Sequence, residues 1–160
     1  MDILGDRHEG IWQVVMGRER FVLRAQFRRF TPALLFNYWV RPEFVRHWLA
    51  DTAEVNGRLG GSFAFSWKNG GRLHGGFPHF DPGRQIAFTY QWDHEVGTDY
   101  RKTAVAFKSS LGGGASILLM QGLYGLTPLE QRLRQNHLDF WSAALAHLRD
   151  LEPEHHRKII

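Results

Sequence analysis

Residues 31–49 constrain the fold more than any other stretch of this chain, because they predict two very short helices that each begin at a proline. Thr31 is a suitable N-cap, and Pro32 follows it at the first helical position, where the missing N–H costs no hydrogen bond. Pro42 starts the second helix, which ends near residue 47. A strand pattern precedes this pair, and a long run of strand patterns follows it. That order predicts a curved sheet that grips one long helix.

The segments around the helix pair alternate apolar and polar residues, as half-buried strands do. Gly75, Gly76 and Pro78 interrupt one of these segments and predict an edge strand or a bulge there. The three glycines at 112–114 predict a hairpin turn. We predict a mainly antiparallel sheet of about seven to eight strands, with an opening hairpin from residues 11–16 and 20–27 and later strands at 52–56, 62–68, 73–80, 85–93, 102–108 and 115–121.

The clearest element is the final helix, for which we predict one continuous span over residues 127–151 across the concave face of the sheet. Thr127, Pro128 and Glu130 form a capping box with proline at the first helical position. Pro153 ends the helix before a polar tail at 154–160. Apolar positions recur at helical spacing and predict the face that packs on the sheet: Leu133, His137, Trp141, Leu145, Leu148 and Leu151.

A single domain is predicted for these 160 residues, with its core at residues 10–151. The chain has no cysteine, which excludes disulfides, thiol nucleophiles and Cys-ligated metal sites. It has neither an apolar signal core nor an apolar run of membrane length, so we expect a cytoplasmic protein without a membrane span. The net charge of +4 comes from scattered basic residues without a basic block, so we expect no nucleic-acid partner.

A sheet bent around one amphipathic helix leaves space that side chains fill or that a ligand occupies. Aromatic residues make up 14% of the chain, and their alternation turns many of them toward the final helix. For each residue alone, core packing is the competing interpretation; for the group, we predict an apolar cavity with a few polar atoms. The candidate lining residues are Trp48, Phe65, Trp67, Phe77, His79, Phe88, Tyr90, Trp92, Phe107, Leu119, Gln121, His137, Trp141 and Leu145.

Proton-transfer chemistry in such a cavity would fall to His79, His137 or Tyr90. No histidine spacing matches a metal-ligand motif, since His74 and His79 have opposite parity on one predicted strand and His155 lies in the polar tail. We therefore assign no catalytic residue, no metal and no cofactor from the sequence.

Four motifs in order carry a family resemblance. They are Pro42-Glu43 with His47-Trp48, Gly60-Gly61-Ser62-Phe63, the run from Asp81 to Tyr90, and Phe140-Trp141 with Leu145 and Leu148. Over residues 10–151 the chain resembles the SRPBCC superfamily (START-like, birch-pollen-allergen-like helix-grip proteins). Within it, the chain is most similar to the bacterial single-domain relatives of the activator of the heat-shock-protein ATPase.

The chain departs from that pattern at four positions. Tyr90 replaces the more usual tryptophan, and His79 stands where glutamate is common. Gln121 occupies a position that is often histidine, and Phe140 occupies one that is often glycine.

The resemblance implies an α+β helix-grip fold and a binding cavity between sheet and helix, without transferring a catalytic residue set. The leading hypothesis is a binder of a hydrophobic, aromatic or lipid-like small molecule. One alternative is a cyclase/aromatase-like or hydrolase-like enzyme that uses a cavity histidine or tyrosine. Another is a chaperone-associated protein-interaction module. The sequence leaves the oligomeric state open, with a homodimer among the options.

Overall fold

The computed structural model describes residues 10–95, 97 and 99–151, and the predicted polar tail with His155 lies outside them. The described residues form nine strands and three helices. The strands are β1 Ile11–Val14, β2 Arg20–Phe27, β3 Thr52–Val55, β4 Ser62–Ser66, β5 Arg72–Gly76, β6 His79–Asp81, β7 Gln85–Trp92, β8 Arg101–Ser109 and β9 Ala115–Gly122; the helices are α1 Pro32–Val40, α2 Pro42–Val45 and α3 Pro128–Arg149.

The strands form one curved, open antiparallel sheet that confirms the helix-grip prediction. Its order is β1-β2-β9-β8-β7-β5-β4-β3, and β6 also pairs with β7. The structure has one strand more than the eight predicted segments, because the predicted strand at 73–80 is divided in two. The opening hairpin is confirmed, although β1 ends at Val14, and Val15 and Met16 are exposed beyond it.

Helix α3 is continuous over its 22 residues, as the capping box and the apolar stripe predict. The Thr127 side chain accepts a hydrogen bond from the Glu130 amide, which satisfies one of the free N–H groups of the first turn. Trp141 and Leu145 at the middle of the helix are fully buried against the sheet. The helix therefore covers the concave face where the sequence places it.

The two short helices begin where their prolines predict. The Thr31 side chain accepts a hydrogen bond from the Leu34 amide, and α1 buries Leu35, Tyr38 and Trp39. These side chains enter the same core as α3. The helix pair thus adds a second set of large side chains to the concave side of the sheet.

The predicted strand at 73–80 is broken at Phe77 and Pro78 into β5 and β6. β5 pairs with the end of β7 (Leu73 opposite Trp92), whereas β6 pairs with its beginning. Gly75 permits the close approach of β7, since a Cβ built there would lie 1.9 Å from the Thr89 carbonyl oxygen. The break therefore bends the chain along β7, where the sequence indicates only an edge strand or a bulge.

Candidate functional site

The space between the sheet and α3 is the site that the sequence predicts, and it is filled with aromatic rings. Trp141 of α3 stacks on Trp39 of α1 with 5.4 Å between ring centroids. Its other neighbours include Phe88 at 6.2 Å and Tyr90 at 5.9 Å, both on β7. Contacts between rings at these separations are those of a packed core.

One residual void lies within this packing, with a volume of about 10 Å³. That is roughly the space of one water molecule, whereas sites for small-molecule ligands measure roughly 300–1,000 Å³. A ligand of ordinary size therefore needs side chains to move apart. The void is lined by apolar side chains from both short-helix and sheet regions: Trp39, Leu49, Phe63, Phe65, Phe77, Phe88 and Trp141.

A hydrogen-bonded group of buried polar side chains lies beside these rings, with Gln121 at its centre. The Gln121 Oε1 atom accepts from Thr103 Oγ1 at 2.7 Å and from Trp141 Nε1 at 2.8 Å. Its Nε2 atom donates to the Tyr124 hydroxyl at 2.8 Å. Gln121 and Thr103 are fully buried, so these bonds replace the water that both side chains lose.

The chain of bonds continues from Tyr124 through His137 to Glu95. The Tyr124 hydroxyl lies 2.6 Å from His137 Nδ1, and His137 Nε2 lies 2.8 Å from Glu95 Oε2. Since Gln121 already donates to the Tyr124 oxygen, every donor is satisfied when the hydroxyl donates to Nδ1 and Nε2–H donates to Glu95. Only the Glu95 end reaches solvent, with 12% of its side chain exposed, against 3% for His137.

A partly buried ion pair lies on the other side of the same group, with Arg101 buried and Glu130 22% exposed. Arg101 donates to Glu130 at 2.6 Å, and its guanidinium lies 4.7 Å from the centre of the Tyr124 ring. Burial by itself opposes ionisation of Glu130, but hydrogen bonds from the Gly125 amide and Arg101 and the positive charge of Arg101 outweigh it. These groups hold the pKa of the Glu130 carboxyl below its ordinary value.

Burial raises the pKa of Tyr90 and of Tyr124 well above that of a free tyrosine. Both hydroxyls are therefore protonated at neutral pH and act as hydrogen-bond donors rather than as bases. The Tyr90 hydroxyl also accepts a bond from Trp92 Nε1 at 2.8 Å. The partners in these bonds are side chains of the protein itself, which is typical of a network that stabilises the fold.

The structure brings most of the sequence-predicted site residues together on the concave side. Trp67 lies at the margin, where it is half-buried and its ring contacts that of Trp92 at a tilt of 34°, with 5.0 Å between centroids. The residues group by environment: Phe65, Phe77, Phe88 and Trp141 line the void; Tyr90, Trp92, Gln121 and His137 carry polar contacts; and Trp48, Phe107, Leu119 and Leu145 are buried core.

His79 does not join this group, because its side chain is exposed. The prediction continued one alternating pattern across Phe77 and Pro78. The break between β5 and β6 changes that parity, so Phe80 packs inward against Phe77 with 5.5 Å between centroids. His79 faces outward opposite Ala87 on β7.

Several residues that shape the site escaped the sequence prediction. Trp39 and Leu49 line the void from the helix pair and the segment after it, where no strand alternation marks a facing side chain. Tyr124 and Glu95 lie in loops. Tyr124 carries one local signal for a residue near the site, because it is an aromatic residue that closely follows the buried strand β9.

Two structural features are absent from the part of the chain that the structure describes. No helix there is long and apolar enough to cross a membrane. No group of three or more histidine, aspartate or glutamate side chains there is arranged to hold a metal ion.

Comparison with known proteins gives a family match. The model of the family described as Activator of Hsp90 ATPase homolog 1-like protein matches residues 29–151. No curated protein sequence matches the chain.

Solved structures share the fold. A protein of Rhodobacter sphaeroides superposes with a TM-score of 0.71 at 16% identity, over 87% of this chain and 95% of that one. An Hsp90 activator of Plasmodium falciparum gives 0.68 at 19% identity, over 81% and 91%. A protein of Mesorhizobium loti gives 0.65 at 16% identity, over 83% and 98%. At these identities the likeness shows the fold alone.

Proposed function

Because the chain belongs to the family of Activator of Hsp90 ATPase homolog 1-like proteins, we propose that it is a protein-binding module that contacts a chaperone of the Hsp90 class. In this proposal the domain works from its surface, and the sheet and helix α3 provide a rigid support. The family match supports the proposal, and so does the name of one structural neighbour, an Hsp90 activator.

The observation that carries the proposal is the packed interior. A void of about 10 Å³ holds no small-molecule ligand without separating rings such as Trp39 and Trp141, which stack at 5.4 Å. Phe140 adds to the packing at 5.1 Å from Trp92 and 5.2 Å from Trp141, at a position where the family pattern often has glycine. Closely packed cores resist such displacement.

An enzymatic role finds less support. His137 is 3% exposed, and both of its ring nitrogens are engaged, by Tyr124 and by Glu95. A general acid or base needs to reach a substrate atom within hydrogen-bond distance. His79 is accessible but lies on the outer side of β6, away from the buried polar group.

Small-molecule binding is the second candidate, and one specific observation favours it. Trp39 lines the void and is 4% exposed, and its Nε1 atom has no hydrogen-bond partner within the described residues. A buried N–H without a partner costs free energy. A small apolar compound with one acceptor atom would satisfy it if the void widened.

The proposed function is tested by titrating the purified protein into a purified Hsp90-class chaperone from the same organism. We expect saturable binding in isothermal titration calorimetry, and ATP hydrolysis by the chaperone is followed in the same mixtures. The control replaces the chaperone by an unrelated acidic protein of similar size to the chaperone. It is needed because a chain of net charge +4 attracts acidic proteins without specificity. Equal heats with chaperone and control would exclude the proposal.

The packed interior predicts the response to small ligands. A panel of aromatic and aliphatic compounds should leave the melting temperature of the wild-type protein within about 1 °C, because only bound ligand stabilises by mass action. Leu49→Ala should lower the melting temperature and make it respond to benzene-sized compounds, since it opens apolar space beside the void.

The second candidate predicts the opposite pattern. If the protein binds small molecules, the melting temperature of the wild type should rise with ligand concentration. The melting temperature of the Leu49→Phe variant should not, because the larger side chain fills the void. Leu59→Phe is the matched control, because Leu59 is 67% exposed and lies away from the void lining.

A further inference from the structure

The convex face of β1, β2, β9 and β8 carries apolar side chains on the side away from α3. In one row across the strands, Val14 pairs with Val22, Val22 with Met120, and Met120 with Ala104. In the next row Leu118 pairs with Ala106. We call these side chains the outer-face patch: Val14, Val22, Ala104, Ala106, Leu118 and Met120.

The outer-face patch is slightly hollow, and its side chains are partly or well exposed except for Val22, which is 3% exposed. A groove of about 390 Å³ runs over Val22, Leu118 and Met120. Leu118 is 40% exposed, and Met16 at the adjoining turn is 48% exposed. Contiguous apolar surface of this kind, with a polar border, marks protein interaction sites.

The border of the patch is basic. Arg20, Arg24, Lys102 and Lys108 face the same side of these strands, and no aspartate or glutamate shares that side of the four strands. The Arg20 guanidinium lies 3.8 Å from the Met120 sulfur and so borders the apolar rows directly. Within the part of the chain that the structure describes, no carboxylate pairs with any of the four side chains.

We propose that the outer-face patch is the docking surface for a protein partner whose contacting surface is acidic around an apolar centre. This inference rests on the proposed function and assigns the proposed chaperone contact to the convex face of β1, β2, β9 and β8. Complementary charge around an apolar centre gives such a contact its specificity and its association rate.

Other occupants fit this surface less well. A second copy of the chain would bring two sets of the same four positive charges together. A nucleic acid would use the basic border but would leave the apolar centre against water or phosphate, where it contributes nothing. The groove of about 390 Å³ has the volume of a small-molecule site, but it lies open on the outer face of the sheet and would not enclose a small molecule as such sites do.

The size of the face fits a modest contact. Four strands at ~4.8 Å spacing and eight residues at ~3.4 Å each give an area on the order of 500 Å². A standard interface buries about 800 Å² on each partner. This face, with the apolar patch at its centre and the basic side chains around it, therefore supplies more than half of such an interface, and the adjoining turns supply the rest.

The test is charge reversal in the full chain, with the purified chaperone as the probe. Arg24→Glu with Lys108→Glu should weaken binding at least tenfold, and wild-type binding should weaken as salt rises. Arg58→Glu with Arg132→Glu is the matched control, because it changes net charge equally at exposed positions elsewhere and should stay within twofold of wild type. Leu118→Gln should also weaken binding, whereas Leu59→Gln should not.

The outcomes separate the two proposals. If both double variants bind the chaperone as tightly as the wild type does, the assignment of the docking surface is wrong and the proposed function still stands. No wild-type binding would overturn both. Two further measurements test the occupant. In analytical ultracentrifugation, a wild-type dimer that Arg24→Glu with Lys108→Glu abolishes would assign the surface to a second copy of the chain. Binding of a duplex DNA probe as tight as that of the chaperone, and lost in the same variant, would assign it to a nucleic acid; either result would overturn the acidic protein partner.

Discussion

Trp141→Ala should lower the free energy of unfolding by about 3–5 kcal/mol, the range for removing a large aromatic side chain from a core. Trp141 is fully buried at the middle of α3, and it packs against Trp39, Phe88 and Tyr90. Its Nε1 atom also donates to Gln121. Domains are stable by only about 5–15 kcal/mol, so this one change removes a large share. Urea denaturation followed by circular dichroism measures it.

Trp12→Ala is the matched control for that measurement. Trp12 lies on the edge strand β1 and is only half-buried, so its removal should cost much less than that of Trp141. Both variants lose the same atoms, so the difference between them reports the deeper burial of Trp141 together with its hydrogen bond to Gln121. Equal shifts in the denaturation midpoint would mean that the core of this domain does not centre on α3.

Much of the fold could be predicted because its strongest signals are local. The capping box at Thr127 and the stripe through Trp141 and Leu145 are properties of one helix, and they define α3 without any knowledge of its neighbours. The alternation in residues 62–68 and 85–93 likewise fixes which side chains of β4 and β7 face inward. Predictions from hydrophobic periodicity and capping residues are correct where the tertiary contacts favour the same helix or strand.

The error at His79 shows where such reasoning fails. Alternation assumes an unbroken strand, and the break at Phe77 and Pro78 depends on how β5 and β6 each pair with β7. That pairing is a long-range contact. A proline with two glycines signals irregularity without saying which side chain turns inward after it, so Phe80 takes the place predicted for His79.

The volume between sheet and helix could not be predicted from the strands and α3 alone. Trp39 and Leu49, from α1 and the segment after α2, occupy space in which the strand pattern predicts a cavity. A cavity is the small difference between the total space and the side chains that several separate elements contribute. The family pattern alone cannot supply that difference, because a single replacement such as phenylalanine for glycine at residue 140 alters it.

The buried polar group was equally hidden from the sequence. Gln121, His137 and Tyr90 could be recognised as polar groups on apolar faces, but their partners could not. Glu95 meets His137 across 42 residues of sequence, and Thr103 meets Gln121 across 18. A requirement for partners follows from burial, whereas the identity of those partners follows only from the register of β8 against β9 and from the loops.

Gln121→Leu should destabilise the domain by about 3 kcal/mol or more, although leucine is similar in size and more apolar. The change removes the hydrogen-bond partner of Thr103 Oγ1, Trp141 Nε1 and the Tyr124 hydroxyl at once. Each buried polar group left without a partner costs about 1–3 kcal/mol, and Tyr124 keeps only its bond to His137. Gain from the buried methyl groups offsets part of this loss.

Gln85→Leu on β7 is the control, because Gln85 is exposed and its replacement should change the free energy of unfolding by less than about 0.5 kcal/mol. Thermal and urea unfolding of both variants measure the contrast. A Gln121→Leu protein as stable as wild type would show that this group is not required for folding. The chain of bonds from Thr103 to Glu95 would then be maintained for a purpose other than stability, and its partly exposed end at Glu95 would become the place to search for that purpose.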